Sequence, residues 1–545
     1  MADATVAGAA ASPQRGEVMR AAVSFATMST TTSPHSRRTA IGIATGDRAK
    51  LARRAAVIGG YGLLIWTLAI VLFYPNGWLP IWLAGGATAL LSFDRRLGPI
   101  GAALLVMLAF PVGRGSEVGL PRVLGDVPVR AHDLVPLVGV VMAMPAVARR
   151  LRRPVSIHWE SLVPIGAFAV VGLVALVIGL LGDQAMRDII RDARWWAFYG
   201  VGLLALVAGT PRPAILRAIA WGLTIYCAVL LIGLLMPMFH GGLKYGAYAY
   251  DPRLRLHYGQ AVFLLVAVAF VTDRFVRRPS YPSFALLALL AAGIGVTLTR
   301  TLLAGVIGVA ILTAAWTALE VARRTGADRR ELARAILRRG APAVLAVGVG
   351  VGMGFGAYQA GTQIWTPDWA YSSEGSGPSG SPTDDRPVRP SLGRVFEDSE
   401  NAGFGAQAGG RLTSYALAFA DTAEAPVLGH GMGALARVPW AWGGFRAYTV
   451  GSQPGVDNAF LTVGLKAGAI GIAAFAAMIL WSLRLVIARA HLRRMRTWFV
   501  PAWLAILGLM LIQSFAVSGY APFTLAMLVV LPFLGQRRRR SRVAT

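Results

Sequence analysis

WESLVPIGAFAVVGLVALVIGLL (159–181) is the stretch that decides the fold of this chain. After Glu160 it carries no charged side chain, and at a helical rise of about 1.5 Å per residue it covers the roughly 30 Å hydrocarbon core of a bilayer. Lipid offers backbone amides no hydrogen bonds, so such a run satisfies them internally, as an α-helix. A polar, charged passage, GDQAMRDIIRDARWW (182–196), follows at once. The same alternation recurs along the chain. Apolar segments are centred on 55–73, 78–93, 97–112, 133–148, 159–181, 195–208, 218–236, 258–272, 284–299, 302–319, 341–358, 459–483, 498–515 and 522–534. The expected fold is therefore an all-α polytopic membrane protein with about 12–14 transmembrane helices and one large extracytoplasmic loop.

Composition agrees. The 545 residues are 55% hydrophobic and only 14% charged, with mean hydropathy +0.57, whereas a soluble chain has about 25% charged residues. The net charge of +27 invites a nucleic-acid reading, but its distribution argues against one. Arginine clusters recur in alternate loops, at Arg53/Arg54, Arg95/Arg96, Arg149 to Arg153, Arg274 to Arg278, Arg323 to Arg339, Arg484 to Arg496 and Arg537 to Arg542. That is the positive-inside pattern, which puts these loops and both termini in the cytoplasm. No aromatic-rich soluble domain accompanies the charge, so no nucleic-acid partner is expected.

The expected organisation is a disordered cytoplasmic tail (1–54) with no apolar core for a cleavable signal peptide, and an N-terminal transmembrane bundle (55–358). An extracytoplasmic loop (359–457), C-terminal transmembrane helices (458–534) and a basic cytoplasmic tail (535–545) complete it. The single cysteine, Cys227, lies mid-span, excludes an intramolecular disulfide and reads as a packing residue.

The same parity places arginines outside, against the topological rule: Arg187, Arg191, Arg194, Arg253, Arg255, Arg300, Arg394, Arg411, Arg437 and Arg446. One reading pairs them with Asp188, Asp192 or Asp251, or with lipid headgroups. The other is a basic funnel for an anionic, membrane-borne substrate, because guanidinium forks bind phosphate bidentately.

Within the large loop, SSEGSGPSGSPTDDRPVRPSLG (372–393) reads as a flexible tether, and Asp384 and Asp385 as solvated charge rather than a metal pair. Leu412, Tyr415 and Phe419 recur at helical spacing until Pro426. Residues 411–425 are thus expected to form an amphipathic helix over the membrane domain, with Arg411 in its first turn. GHGMG (429–433) permits positive φ and close approach to a ligand, and His430 titrates in the range suited to proton transfer. Asp457 and Asn458 open the next span. As N-caps they serve the helix; equally, Asp457 is a carboxylate at the membrane surface able to deprotonate an acceptor hydroxyl. Lys466, about 13 Å further along that helix, is out of phase with Asp457. Gly464 and Gly468 read as a small-residue packing face.

Four passages together resemble the bacterial O-antigen ligase and O-antigen polymerase family of membrane glycosyltransferases: RLRLHYGQAVFLLVAV (253–268), GVTLTRTLLAGVIGV (295–309), GRLTSYALAFADTAEAPVLGHGMG (410–433) and DNAFLTVGLKAGAIG (457–471). Asp457 stands where many members have a histidine, and Lys466 where a glutamate is common. The resemblance implies metal-independent transfer of a glycan, without a cofactor, from a polyprenyl diphosphate to a glycan or glycolipid acceptor on the outer face of the bacterial plasma membrane. It implies Arg300, Arg411 and one of Arg253 or Arg255 on the diphosphate, Asn458 beside the substrate, and Asp457 as general base with His430 as its substitute. Ligase and polymerase share this donor and differ in acceptor. A lipid-linked oligosaccharide flippase or other transporter is the rival; it should show an internal repeat and charges buried mid-span. An envelope scaffold would leave the outer arginines replaceable.

Overall fold

The computed structural model describes residues 34–73, 78–109, 122–123, 127–128, 131–152, 159–234, 259–365 except 298 and 325–328, 404–441, and 448–534 except 454, 514 and 518–520. The chain divides into Met1–Ala55 and Ala56–Thr545. Its helices run in chain order as α1 (Pro34–Phe73), α2 (Trp78–Leu91), α3 (Gly98–Ala109), α4 (Ala131–Leu151), α5 (Trp159–Leu181), α6 (Met186–Ala208), α7 (Arg212–Leu234) and α8 (Leu264–Arg277). There follow α9 (Tyr281–Gly295), α10 (Arg300–Arg324), α11 (Arg329–Trp365), α12 (Phe404–Glu424), α13 (Ala459–Ala488), α14 (Arg493–Met510) and α15 (Ala521–Val530). Two antiparallel hairpins interrupt this order: β1 (Arg122–Val123) with β2 (Val127–Pro128), and β3 (Ala436–Ala441) with β4 (Tyr448–Gln453).

Every apolar segment anticipated from the sequence lies on one of these helices. By length and composition, six described helices can cross a membrane, through Asp133–Leu151, Leu162–Leu181, Arg212–Ile232, Thr301–Arg324, Ile336–Ala360 and Ala459–Ala488. The protein is thus a multi-pass membrane protein. Four further helices, α2, α3, α9 and α15, are apolar but of only 10–17 residues, shorter than the ~20 that crosses a bilayer untilted. Two boundaries shift. Residues 34–54, expected in the disordered tail, are helical and run straight into the first apolar segment, and α11 continues past residue 358 to Trp365. Residues 1–33, the tether 372–393 and the tail 535–545 lie outside the described residues.

Burial places the core around α8 and α15. Ala261 to Val268, the 3₁₀ turn and first residues of α8, are all buried, as is every residue of α15. Small residues bring α9 and α11 together: a Cβ on Gly350 would lie 2.2 Å from Ala288 O, and one on Gly354 2.1 Å from Ala292 O. In lipid, where apolar contact gains little over the solvent, such close backbone packing is a main source of helix association.

One end of the bundle carries a closed charge network. Asp273 of α8 accepts from Thr317 Oγ1 (2.8 Å), Thr497 Oγ1 (2.6 Å) and Arg277 Nε (3.1 Å). Glu320 of α10 takes Arg277 Nη2 at 3.1 Å, Arg493 Nε at 3.3 Å and Arg324. The carboxylates neutralise arginines of the clusters that charge asymmetry assigns to the cytoplasm, where α8 and α10 finish and α14 begins. Sidedness is directly measurable. With Cys227 buried, Ser376→Cys places a reporter thiol in the large loop. We expect a membrane-impermeant reagent to label it in intact cells; labelling only after lysis would reverse the orientation.

Candidate functional site

Helix α13 begins correctly and then breaks. Asn458 is its N-cap: extended in backbone, it accepts from Phe460 N (2.9 Å) and Leu461 N (3.0 Å) through Oδ1. At Gly468 the backbone turns to φ 62°, ψ −162°, and the helical ladder stops. A Cβ there would lie 2.2 Å from Val427 O, so Gly468 both packs closely, as expected, and permits the break.

Four of the backbone groups at the break are met by the segment after α12. Leu465 O and Lys466 O accept from His430 N (2.9 Å) and Gly431 N (3.0 Å), while Ala469 N and Ile470 N donate to Pro426 O (2.8 Å) and Val427 O (3.4 Å). Met432 N donates to Ala175 O of α5 at 2.8 Å. Interrupted helices persist in membranes only where the freed backbone finds such partners. GHGMG therefore uses its glycines to approach the chain's own backbone. A Cβ on Gly429 would sit 2.5 Å from Ala467 N, and one on Gly431 2.4 Å from Gly179 N, both at positive φ.

A buried ion pair locks the same joint. Lys466 is 0% exposed, and its Nζ donates to Asp192 of α6 and to Ala434 O at 2.9 Å. Asp192 Oδ2 also accepts Gly433 N at 2.8 Å. Sequence reasoning separated Lys466 from Asp457 but did not find Asp192, 274 positions away. The available signal was a lone lysine in an apolar span, since an intramembrane cation requires a carboxylate or backbone oxygens. Around Asp192, Arg191 Nη1 meets Asp188 at 2.7 Å, Arg187 lies 3.9 Å from Asp188, and Arg194 Nε meets Asp133 at 3.0 Å.

A second convergence lies at the start of α13. Tyr415 of α12 donates its hydroxyl to Asp457 O at 2.7 Å and lies 3.4 Å from Leu511 O, and Asn458 Nδ2 donates to Leu511 O at 3.0 Å. Two residues on, Gln513 Nε2 donates to Thr301 Oγ1 at 3.4 Å. The turn after α14 thus ties the first residues of α10 to α12 and to the head of α13. Arg300 opens α10 beside Thr301, and Arg411 lies one turn before Tyr415 on α12. The structure brings the backbones of Arg300 and Arg411 and the residues Asp457 and Asn458 to one end of the bundle. The side chains of Arg300 and Arg411 lie outside the described residues, as do Arg253, Arg255, Arg394 and Arg446.

Three expectations change in detail. Because α12 starts at Phe404, Arg411 lies about two turns inside it rather than in the first turn. Its apolar stripe divides: Tyr415 reaches the bundle through its hydroxyl, while Leu412 and Phe419 are 66% and 67% exposed. The helix seats instead through small and polar residues: Ala418 joins Ala434, Ala436, Val456 and Leu465 in a satellite core, and Asp421 binds Arg437. Glu424 adds a contact to Arg437 at 3.2 Å, and the Asp421 carboxylate raises that guanidinium above its ordinary pKa, so Arg437 is a structural cation. Capping, shared in the sequence reading between Asp457 and Asn458, belongs to Asn458. Asp457 is exposed. His430 is held elsewhere: its Nε2 lies 2.7 Å from Asp421 O and its amide is bonded near residue 465, about two helical turns along α13 from Asp457. Asp457 and His430 therefore mark two places, not one.

Among the described residues no three His, Cys, Asp or Glu side chains gather to hold a metal ion. Comparison with known protein families, with characterised proteins and with solved structures gives no match.

Proposed function

We propose that this chain is a membrane glycosyltransferase of the O-antigen ligase and polymerase type, moving a glycan from a polyprenyl diphosphate to an acceptor hydroxyl on the outer face of the plasma membrane. The observation that carries the reading is the convergence at the turn 511–513, where the heads of α10 and α13 meet α12. Of the residues singled out for this chemistry, Arg300 and Arg411 belong to α10 and α12, and Asp457 lies just before the N-cap of α13. In the step envisaged, the acceptor oxygen attacks the anomeric carbon as Asp457 takes its proton. The bond from that carbon to the diphosphate oxygen breaks, and the departing diphosphate keeps the electron pair. Arg300 and Arg411 stabilise the charge that develops there, and a single displacement inverts the anomeric centre.

The transporter reading draws on the broken helix and the buried Lys466–Asp192 pair, both features of transport sites. Here, however, the groups freed by the break are occupied by the chain's own 426–431 backbone, which assigns the interruption an architectural task. The test is transfer from a purified polyprenyl-diphosphate glycan in liposomes. Arg300→Ala and Arg411→Ala should each lower the rate by about two to three orders of magnitude while the protein still accumulates in the membrane. Lysine should rescue poorly, lacking the bidentate fork. Full activity in both alanine variants would remove the proposal.

A further inference from the structure

We infer that Arg191 and Trp195 of α6 form a binding site for a phosphate-type oxyanion, distinct from the residues assigned to the transfer step. Three hydrogen-bond donors on this face, Arg191 Nε, Arg191 Nη2 and Trp195 Nε1, are buried and have no partner among the described residues. Trp195 is 3% exposed, held against Trp196 with ring centroids 4.3 Å apart and edge-on to Tyr199 at 6.4 Å. The two residues lie one turn apart, on the same side of the helix.

All three unmet groups are donors, so the missing partner is an acceptor. Asp188 already occupies Nη1 at 2.7 Å, on the other side of the guanidinium, and Asp192 Oδ1 lies 3.7 Å from Nε, beyond hydrogen-bond range. Nε and Nη2 form the lateral fork of the guanidinium, which matches two oxygens of one anion. A carboxylate would be used up by that fork; a phosphate has a further oxygen to offer the indole N–H. The local balance also accommodates an anion, since Arg187, Arg191, Arg194 and Lys466 face the carboxylates of Asp133, Asp188 and Asp192. Access exists, because the Arg191 side chain as a whole is 34% exposed. The site stands whether or not the protein transfers glycans.

The test measures binding, not transfer. Full-length protein in neutral detergent is titrated with inorganic pyrophosphate and followed by thermal unfolding, with chloride at matched ionic strength as control. In parallel it is reconstituted in phosphatidylcholine nanodiscs with and without phosphatidylglycerol. Trp195→Phe keeps the ring and removes only the N–H, so it should fold normally and bind about tenfold more weakly; Arg191→Met should abolish the shift. Stabilisation by pyrophosphate alone identifies a soluble or diphosphate-bearing ligand, and stabilisation by phosphatidylglycerol alone a lipid headgroup, provided either is lost in these variants. Equal anion affinity in wild type and Trp195→Phe, or no anion-dependent stabilisation, overturns the site.

Discussion

Asp457→Asn is expected to lower glycan transfer by about two to four orders of magnitude while leaving fold and membrane insertion intact. Because Asn458 supplies the cap of α13, the substitution one residue upstream does not touch helix initiation. The Tyr415 hydroxyl bonds the Asp457 carbonyl, not its side chain, so that tether also survives. What disappears is the carboxylate as a proton acceptor. Asp457→His should restore part of the rate with an altered pH profile. Turnover is measured with chelator present, from a polyprenyl-diphosphate glycan in liposomes. Near-normal turnover of the Asn variant would shift the base to His430, and dependence on an added divalent metal would exclude the mechanism.

Lys466→Met is expected to cost about 3–5 kcal/mol of stability, because the buried Asp192 loses its ammonium partner and keeps only Gly433 N and the more distant Arg191. Asp192→Asn alone should be comparably damaging, leaving the ammonium with only Ala434 O as a strong acceptor. The double variant should recover much of the loss, since two neutral groups of similar volume need no mutual compensation. Thermal unfolding in detergent gives the three values, and proteolysis reports whether the 426–434 segment detaches. Additive single-variant losses would mean that the pair does not act as a unit.

Much of the architecture was legible because lipid imposes one rule on every span. Apolar runs became helices at the anticipated places, and WESLVPIGAFAVVGLVALVIGLL became α5 with its expected limits. Pro426 ended α12 as its missing N–H and fixed φ require. Other features were not legible, since they depend on which distant groups meet. No periodicity reveals that Lys466 reaches Asp192, or that the turn at 511–513 gathers α10, α12 and α13. The glycines of GHGMG were recognisable as permissive, but whether they admit a ligand or a neighbouring backbone is decided by packing. Likewise, Leu412 and Phe419 form a helical stripe whether they face the protein or away from it; the small side chain of Ala418 and the Asp421–Arg437 pair determined which side docks.

The interruption of α13 also has a bearing on biogenesis. While this segment is alone in the bilayer, its carbonyls at 465 and 466 can be satisfied only by continuing the helix through Gly468. Once the preceding segment 426–431 arrives, the same carbonyls, and the amides of Ala469 and Ile470, exchange helical partners for new ones. These four groups are thus paired in either geometry, two bonds within a straight helix being exchanged for four to the 426–431 segment. The Lys466–Asp192 pair closes the bent form, so a chain lacking that closure should retain its spans while the 426–434 segment stays unseated.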